Sequence, residues 1–391
     1  MSDVVSQKII PLSEPQICGN EWKYIKECLD TGWVSSAGNY VNRFEETLAK
    51  YTGAKYAVAI MNGTAALHVS LIACGVEPND EVIAPTLTFI APANAVRYCS
   101  AYPVFMDCDS KTLCLDTAKV ADFIKKECVL KNGFTYNKKT KRRVKAIIPV
   151  HVFGHPVDME NLVKVCKKNN IDVIEDATES LGSLYKGKKT GTLGTAGCFS
   201  FNGNKIITTG GGGMVVTDDK KLADRIRHLT TQAKKDSVEY DHDEIGYNYR
   251  LTNIQAAMGV AQMEKLESFI AIKRKNAAAY KRMFSKILQV IMLWEEPYAK
   301  SNFWLCAIKV SRNHKKKLID FLLSEKIHVR PIWKLIHEFP MYKGCPAYAL
   351  ENARKAYETY INIPSSVGIK PGETEYVVDK VAQYFKKTKR F

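Results

Sequence analysis

Short apolar segments alternate with amphipathic helical segments through the middle of this chain, and this alternation constrains the fold more than any other feature. Residues 145–151 (KAIIPVH) form an apolar run, residues 157–170 (VDMENLVKVCKKNN) carry apolar side chains at helical spacing, and residues 171–176 (IDVIED) form a second run. A strand, a helix and a strand at this spacing are typical of a βαβ unit with parallel strands in a covered sheet. Residues 56–84 repeat the scheme. The sequence therefore predicts an α/β fold.

The pattern changes after about residue 253. A long helical stretch at 255–284 leads into short strands, such as 303–310, and a terminal helix near 374–387. We predict a large α/β domain over residues 1–255, with a mostly parallel sheet between helices. A smaller C-terminal α+β domain is predicted over residues 256–391, and a chain of 391 residues is long enough for two such units.

The charge of the chain raises an alternative of another class, a basic nucleic-acid-binding protein. Lys and Arg number 57 against 41 Asp and Glu, a formal charge of +16. Four short runs hold 17 of the basic residues, so the rest of the chain has 40 basic and 41 acidic residues; the runs are 138–145, 186–189, 312–317 and 386–390. They lack the interleaved aromatic residues of a single-strand binding platform. We interpret them as solvated loops and a tail, and we expect no nucleic-acid partner.

The cysteines and the N-terminal sequence indicate in which cellular compartment the protein is expected. The 11 cysteines are scattered without CxxC or zinc-finger spacing, which indicates reduced thiols. Residues 1–10 (MSDVVSQKII) have neither the basic nor the apolar region of a signal peptide, and no run of 18 apolar residues occurs. We expect a cytoplasmic protein without a membrane span. His151 and His155 lie in a turn rather than on a helix, so we predict no metal site.

Ligands of parallel α/β sheets bind beyond the carboxyl ends of the strands, so residues after the apolar runs are candidates for chemistry. Asp176 ends one run, either as a carboxylate in a site or as the cap of a following helix. Lys205 lies between FSF and IIT, which predicts a partly buried amine that is nucleophilic toward carbonyls. Glycines 210–213 follow it and either allow close backbone approach to a planar ligand or form a flexible turn.

A third candidate lies at residues 62–67 (NGTAAL), which run from a strand into a helix. Gly and Thr at this junction place N–H groups and a hydroxyl at the positive end of the helix dipole, where phosphate binds. A plain turn would have a similar sequence. Together, a phosphate seat, a strand-end carboxylate and a partly buried lysine are the parts that hold pyridoxal phosphate.

Eight segments in chain order carry a resemblance to a known family. They are 31–46 (TGWVSSAGNYVNRFEE), 62–71 (NGTAALHVSL), 84–96 (APTLTFIAPANAV), 103–109 (PVFMDCD), 149–159 (PVHVFGHPVDM), 173–183 (VIEDATESLGS), 199–214 (FSFNGNKIITTGGGGM) and 246–259 (GYNYRLTNIQAAMG). The chain resembles the DegT-type nucleotide-sugar aminotransferases, a branch of the fold-type I pyridoxal-phosphate enzymes. Residues 201–214 are most similar to members that aminate 4-keto sugars on the way to bacillosamine or legionaminic acid.

The resemblance implies a role for each matching residue. Lys205 matches the lysine that binds the cofactor covalently, Asp176 the partner of the pyridinium nitrogen, and Phe89 the ring that stacks on the cofactor. The phosphate seat matches Gly63, Thr64, Ala65 and Ser200. Asn248 matches an asparagine that reaches the cofactor phosphate of the neighbouring subunit, which implies a homodimer with shared sites.

Other matches leave alternatives open. Glu179 stands where many members have Gln beside the cofactor's phenolic oxygen, so it is either protonated or faces the substrate. Trp33, Ser35 and Ser36 either contact the substrate or simply form a turn. Arg330 and His337 either contact the nucleotide-sugar or have an ordinary surface role.

The resemblance implies a pyridoxal-phosphate-dependent aminotransferase of polysaccharide biosynthesis. It moves the amino group of glutamate to the C4 ketone of a nucleotide-linked 4-keto-6-deoxyhexose, which we expect to be 2-acetamido-bearing and UDP- or GDP-linked. A C3 aminotransferase or a dehydratase of the same fold is the alternative. Dehydratases of the family carry His at the lysine position, so Lys205 favours amination.

Overall fold

The computed structural model describes residues 9–236 and 238–388. Over these residues the chain forms twelve α-helices: α1 (Glu21–Thr31), α2 (Asn39–Thr52), α3 (Gly63–Ala73), α4 (Ala91–Tyr98), α5 (Thr117–Glu127), α6 (Met159–Lys168), α7 (Lys220–Thr230), α8 (Asn253–Met263), α9 (Leu266–Phe284), α10 (Arg312–Ser324), α11 (Glu351–Thr359) and α12 (Pro371–Thr388). Three short 3₁₀ helices lie at Val152–Gly154, Ile336–Glu338 and Pro340–Tyr342.

The same described residues form seventeen strands: β1 (Tyr56–Ile60), β2 (Glu81–Pro85), β3 (Tyr102–Met106), β4 (Cys128–Lys131), β5 (Phe134–Asn137), β6 (Val144–Ile147), β7 (Asp172–Asp176), β8 (Leu184–Tyr185), β9 (Lys188–Lys189), β10 (Ala196–Ser200), β11 (Gly213–Thr217), β12 (Ile291–Met292), β13 (Ala299–Lys300), β14 (Cys306–Lys309), β15 (Arg330–Pro331), β16 (Ala347–Tyr348) and β17 (Tyr360–Ile363). Eight of them build one large sheet.

The large sheet has the strand order β1-β11-β10-β7-β6-β2-β3-β16. Strand β11 runs antiparallel to both of its neighbours, whereas the other pairs are parallel. This confirms the predicted α/β fold, with β6, α6 and β7 as a paired βαβ unit. Strands β1 and β2 were predicted to repeat that unit, but four strands separate them in the sheet, so this prediction was wrong. Sheet order depends on non-local pairing that the local pattern does not encode.

The C-terminal part contains a smaller antiparallel sheet of order β12-β14-β17-β15. The helix predicted over 255–284 is two helices, α8 and α9, which break at Glu264 and Lys265. Strand β16 pairs with β3 of the large sheet, and β13 pairs with β8. Helix α8 crosses the predicted boundary at residue 255, and the division into 1–255 and 256–391 stays a prediction.

The four basic runs were predicted to be loops and a tail, but each of them includes residues of a strand or helix: the run at 138–145 ends in β6, and the others reach into β9, α10 and α12. Residues 312–317 open α10, because Leu318 and Leu322 beyond the run are buried and anchor that helix in the core. Residues Lys386 and Lys387 lie in the last turn of α12. Residues 389–391, and residues 1–8 of the N-terminus, lie outside the described part of the chain. The run at 186–189 begins with the predicted turn at residues 186–187 and ends in strand β9, Lys188–Lys189.

All 11 cysteines are free thiols, and eight of them are buried. They pack as small apolar side chains, in agreement with the sequence prediction. Among the described helices, none is both long and apolar enough to cross a membrane.

A buried carboxylate on β7 ties the sheet to the loop that precedes β10. Glu175 Oε1 accepts hydrogen bonds from the backbone N–H groups of Leu193 and Gly194, at 2.6 and 2.7 Å. Its Oε2 accepts from Gly191 N at 2.8 Å and lies 2.9 Å from His151 Nε2. These bonds fully compensate the burial of the carboxylate.

We expect Glu175→Ala to lower the free energy of unfolding by about 3 kcal/mol, because three backbone donors and His151 lose their acceptor inside the protein. Urea unfolding at neutral pH measures this change. Glu160→Ala is the control, since Glu160 forms only half-exposed ion pairs with Lys164 and Lys186. Equal losses in the two variants would contradict the structural role of Glu175.

Candidate active site

A cavity of about 370 Å³ opens at the carboxyl ends of the parallel strands. The turn from β1 into α3, the segment after β2, the end of β7 and the segment after β10 form most of its wall. The carboxyl ends of the strands are where open α/β sheets bind their ligands. Seven of the candidate residues line it: Gly63, Thr64, Phe89, Asp176, Glu179, Ser200 and Lys205.

The N-terminus of α3 forms one end of the cavity. Asn62 caps the helix, because its Oδ1 accepts a hydrogen bond from Ala65 N at 2.8 Å. Ala65 does not line the cavity, whereas Gly63 and Thr64 do. The first N–H groups of a helix have no intrahelical acceptor, so those of Gly63 and Thr64 suit an anion. A side chain at Gly63 would place its Cβ 2.9 Å from Ser200 Cβ and close this seat.

Asp176 lies at the carboxyl end of β7 with only 3% of its surface exposed. Turns rather than a helix follow it, so Asp176 does not cap a helix, and its Oδ1 accepts a hydrogen bond from Thr178 N at 3.1 Å. Burial raises the pKa of this carboxyl, while the hydrogen bonds from Thr178 and the charge of Lys205 act in the opposite direction. Asp176 is therefore a strand-anchored acid inside the cavity.

Lys205 reaches the same cavity from the segment after β10. Its side chain is 13% exposed, and its Nζ lies 3.8 Å from Glu179 Oε1. The Nζ also lies 4.2 Å from the centre of the Trp304 ring, a cation–π contact. Trp304 is fixed in turn, because its Nε1 donates a hydrogen bond to the carbonyl of Asn204 at 2.7 Å. The amine is thus held between an acid and an aromatic face.

One of the glycines after Lys205, Gly213, allows two backbone segments to pack closely. A Cβ on Gly213 would come within 2.5 Å of the carbonyl carbon of Asn62, so the glycine lets β11 pass directly beneath the N-terminus of α3. Gly210 has a φ of 77°, which favours glycine. Gly211 and Gly212 line the cavity.

The other candidate residues lie outside this cavity. Asn248 is exposed and forms an isolated bridge with Thr231. Trp33 lines a second cavity, and Asn253 donates hydrogen bonds to the carbonyls of Trp33 and Ser35 at 2.7 and 2.6 Å. Ser36, on the same loop as Trp33, is exposed, and so is Arg330 in β15.

The segment after β15 contains the candidate His337, which does not line the cavity, and Trp333, which does and which the sequence analysis did not single out. His337 Nδ1 lies 2.7 Å from Thr86 Oγ1, behind the cavity wall. Trp333 of the same segment lines the cavity and stacks on Phe153 at 4.7 Å between ring centres. Trp333 and Trp304 are therefore cavity residues that sequence reasoning missed. The available signal was that the HVRPIWKLIH segment contains a tryptophan beside the two residues chosen.

The donor set fits pyridoxal phosphate. Backbone N–H groups of α3 with the Ser200 hydroxyl suit its phosphate, the buried Asp176 suits a protonated ring nitrogen, and Lys205 suits its carbonyl carbon. The ring of Phe89 is 57% exposed at the cavity wall, an open aromatic face for a planar ligand. Gly63 keeps the phosphate seat free of a side chain.

Comparison with known proteins identifies the family. Residues 15–382 match the model of the DegT/DnrJ/EryC1/StrS aminotransferase family. The chain is 38% identical to a GDP-perosamine synthase of Escherichia coli O157:H7 (97% of this chain, 99% of the relative) and 36% identical to one of Caulobacter vibrioides (96% and 98%). It is 36% identical to EpsN of Bacillus subtilis, which is named as a pyridoxal phosphate-dependent aminotransferase (97% and 96%).

Solved structures agree with these relatives. PseC of Helicobacter pylori, an aminotransferase of pseudoaminic acid biosynthesis, superposes with a TM-score of 0.87 at 27% identity and covers 97% of this chain and 100% of its own. TlmJ of Streptoalloteichus hindustanus shares the fold, with a TM-score of 0.89 at 24% identity over 97% and 100% of the two chains. The chain belongs to the DegT/DnrJ/EryC1/StrS aminotransferase family and is a pyridoxal-phosphate-dependent nucleotide-sugar aminotransferase.

Proposed function

We propose that this enzyme transfers the amino group of glutamate to the C4 ketone of a GDP-linked 4-keto-6-deoxyhexose. The observation that carries the proposal is the meeting of Lys205, Asp176 and the α3 N-terminus in one cavity of a chain similar to GDP-perosamine synthases. Those relatives favour GDP over UDP. Their names give no support to the 2-acetamido group expected from the sequence, so that group is a question for the assay.

The proposed chemistry assigns a task to each cavity residue. When bound, pyridoxal phosphate supplies an electron sink for the carbon that loses or gains a proton. Lys205 would hold the cofactor through its Nζ, and the same Nζ would remove the proton from the α-carbon of glutamate and supply the proton to C4 of the sugar. Asp176 would hold the proton of the ring nitrogen. The N–H groups of Gly63 and Thr64, with the Ser200 hydroxyl, would bind the phosphate and keep the ring in place.

The test supplies the holoenzyme with ¹⁵N-labelled glutamate and a panel of 4-keto-6-deoxyhexoses linked to GDP, UDP or dTDP, each with and without a 2-acetamido group. We expect ¹⁵N at C4 of the product by mass spectrometry and NMR, with the highest kcat/KM for a GDP sugar. Nitrogen at C3 would indicate a C3 aminotransferase. Loss of a hydroxyl without incorporation of nitrogen would indicate a dehydratase.

We further propose a homodimer in which Asn248 completes the site of the partner subunit. Asn248 is exposed and lies outside the cavity of its own chain, and the neighbouring Ile245 is 84% exposed. Trp22 and Trp33 are also largely exposed, at 78% and 60%. In the proposed homodimer the partner subunit would cover apolar side chains such as these. Substrate contact by Trp33, and by Ser35, Ser36, Arg330 and His337, is part of the same proposal.

Two inactive variants should therefore restore activity together. Consider a heterodimer of one Lys205→Ala subunit and one Asn248→Ala subunit. It has one site in which both residues are intact, because each site takes Lys205 from one subunit and Asn248 from the other. Random association after co-expression in equal amounts should give about a quarter of the wild-type kcat per site. The control is a mixture of separately purified homodimers kept too briefly to exchange subunits. Activity no higher than the average of the two variants would place Asn248 in its own subunit's site or outside any site.

We propose that the protein is located in the cytoplasm and that it does not bind nucleic acid. The run at 138–145 leads into the amino end of β6, at the sheet edge opposite the cavity. Two of its side chains are paired, Arg143 with Asp80 at 2.5 Å and Lys145 with Asp172 at 2.6 Å. Titration with RNA and DNA at physiological salt should show weak binding. Tight binding with a steep salt dependence would favour the alternative of another class.

A further inference from the structure

Glu179 is a buried acid whose carboxylate has one oxygen fixed and the other facing the cavity. Its Oε2 accepts a hydrogen bond from Phe153 N at 2.8 Å. Phe153 adopts a φ of 55° and stacks on Trp333, so its N–H direction is set by packing around it. The remaining oxygen, Oε1, lies 3.8 Å from Lys205 Nζ.

Within the described part of the chain, the charges of Lys205 and Asp176 act on Glu179. Glu179 in turn acts on Cys114, a buried thiol that donates a hydrogen bond to the carbonyl of His155. Burial raises the pKa of the Cys114 thiol to about 12, so it is neutral at physiological pH. Cys114 is therefore not a base that competes with Glu179 for the proton of Lys205.

Burial raises the pKa of Glu179 to about 7, while the charge of Lys205 and the Phe153 N–H act in the opposite direction. The carboxyl is therefore mostly protonated below about pH 7 and mostly ionised above it, unlike an exposed glutamate, which ionises near pH 4.3. Its two protonation states are close in free energy at neutral pH. This is the property that a proton donor and acceptor needs.

We propose that Glu179 is the group that accepts a proton from the Lys205 ammonium, because its free Oε1 lies 3.8 Å from Lys205 Nζ while its Oε2 is held by Phe153 N. In the step, an N–H bond of the Lys205 ammonium breaks and an O–H bond forms at Glu179 Oε1, leaving a neutral amine and a neutral carboxylic acid. Net charge in the cavity is unchanged, and no other reactant is needed. Rotation about the lysine side-chain bonds closes the gap between the two atoms. The inference rests on the proposed role of Lys205.

The test follows the rate at which apoprotein forms a covalent link to added pyridoxal phosphate, by stopped-flow absorbance across a range of pH. In the wild type the rate should rise through about pH 7, as Glu179 ionises. Glu179→Gln keeps the size and an oxygen acceptor for Phe153 N–H but cannot take the proton. We expect it to be about 10²-fold slower at neutral pH and to approach the wild-type rate at alkaline pH, where hydroxide removes the proton.

A purely structural role of Glu179 would slow the variant by the same factor at every pH, and that result would overturn the proposal, as would a rate equal to the wild type throughout. Glu160→Gln, an exposed position, is the control. Infrared difference spectra of the wild type give a second readout, since a protonated carboxyl band should appear when the link forms at pH 8 and its absence would contradict the transfer. No glutamate or sugar is present, so failure of the sugar assay leaves this result unaffected.

Discussion

Replacing Lys205 with alanine should lower kcat/KM for amination by about 10⁴-fold, the largest effect we expect from any single substitution. In the proposed reaction Lys205 would supply both the covalent attachment of the cofactor and the amine that moves the proton, and its Nζ lies in the cavity beside Glu179. Steady-state kinetics with glutamate and the best sugar of the panel measure the loss. The absorbance of the covalent link should be absent from the variant.

Lys188→Ala is the matched control. Lys188 lies on β9, is exposed, and is remote from the cavity wall, so its loss should leave kcat/KM within about twofold of wild type. If Lys205→Ala retained an ordinary covalent absorbance band and most of the activity, another lysine would hold the cofactor. The assignment of the cavity as the active site would then be wrong.

Asp176→Asn should reduce kcat by about 10³-fold while the covalent link to Lys205 still forms. In the proposed reaction the buried carboxylate at the end of β7 would stabilise a proton on the ring nitrogen, whereas a neutral amide of the same shape would not. Lys205 is unchanged in this variant, so we expect the cofactor still to be bound covalently while proton transfer becomes slower. Kinetics and absorbance on the same preparation distinguish the two effects.

Asp172→Asn provides the comparison on the same strand. Asp172 is the first residue of β7, at the end of the strand opposite Asp176, and pairs with Lys145 at 2.6 Å. Its loss should cost at most about 1 kcal/mol of stability and leave kcat unchanged. Similar kcat values for the two variants would show that the charge at Asp176 does not act on the reaction.

The sequence predicted the local elements of the fold better than their arrangement. The strands and helices around β6, α6 and β7 follow from apolar periodicity, which is a property of neighbouring residues. The order of the large sheet depends on pairings between distant segments, so the separation of β1 from β2 has no local signal. The break between α8 and α9 at Glu264 and Lys265 lacks the Gly or Pro that would have indicated it.

Some residues of the candidate site could likewise be predicted from local sequence, whereas others required the folded structure. Asp176, Lys205 and Gly63 could be singled out because each follows a predicted strand, where parallel sheets place their ligands. Trp304 and Trp333 enter the cavity from segments far along the chain, and only the folded structure shows that one covers Lys205 and the other packs on Phe153. The carboxylate of Glu179 was noticed as unusual from sequence, but its fixed oxygen and its distance to Lys205 required coordinates.

The most direct test of the proposed site is to find which lysine carries the cofactor. The holoenzyme is reduced with borohydride, digested, and mapped by tandem mass spectrometry. We expect the reduced pyridoxal phosphate on Lys205 and on no other lysine of the chain. Attachment at a different lysine, or no attachment in an enzyme that retains activity, would contradict the assignment of the cavity between β7 and α3 as the site of catalysis.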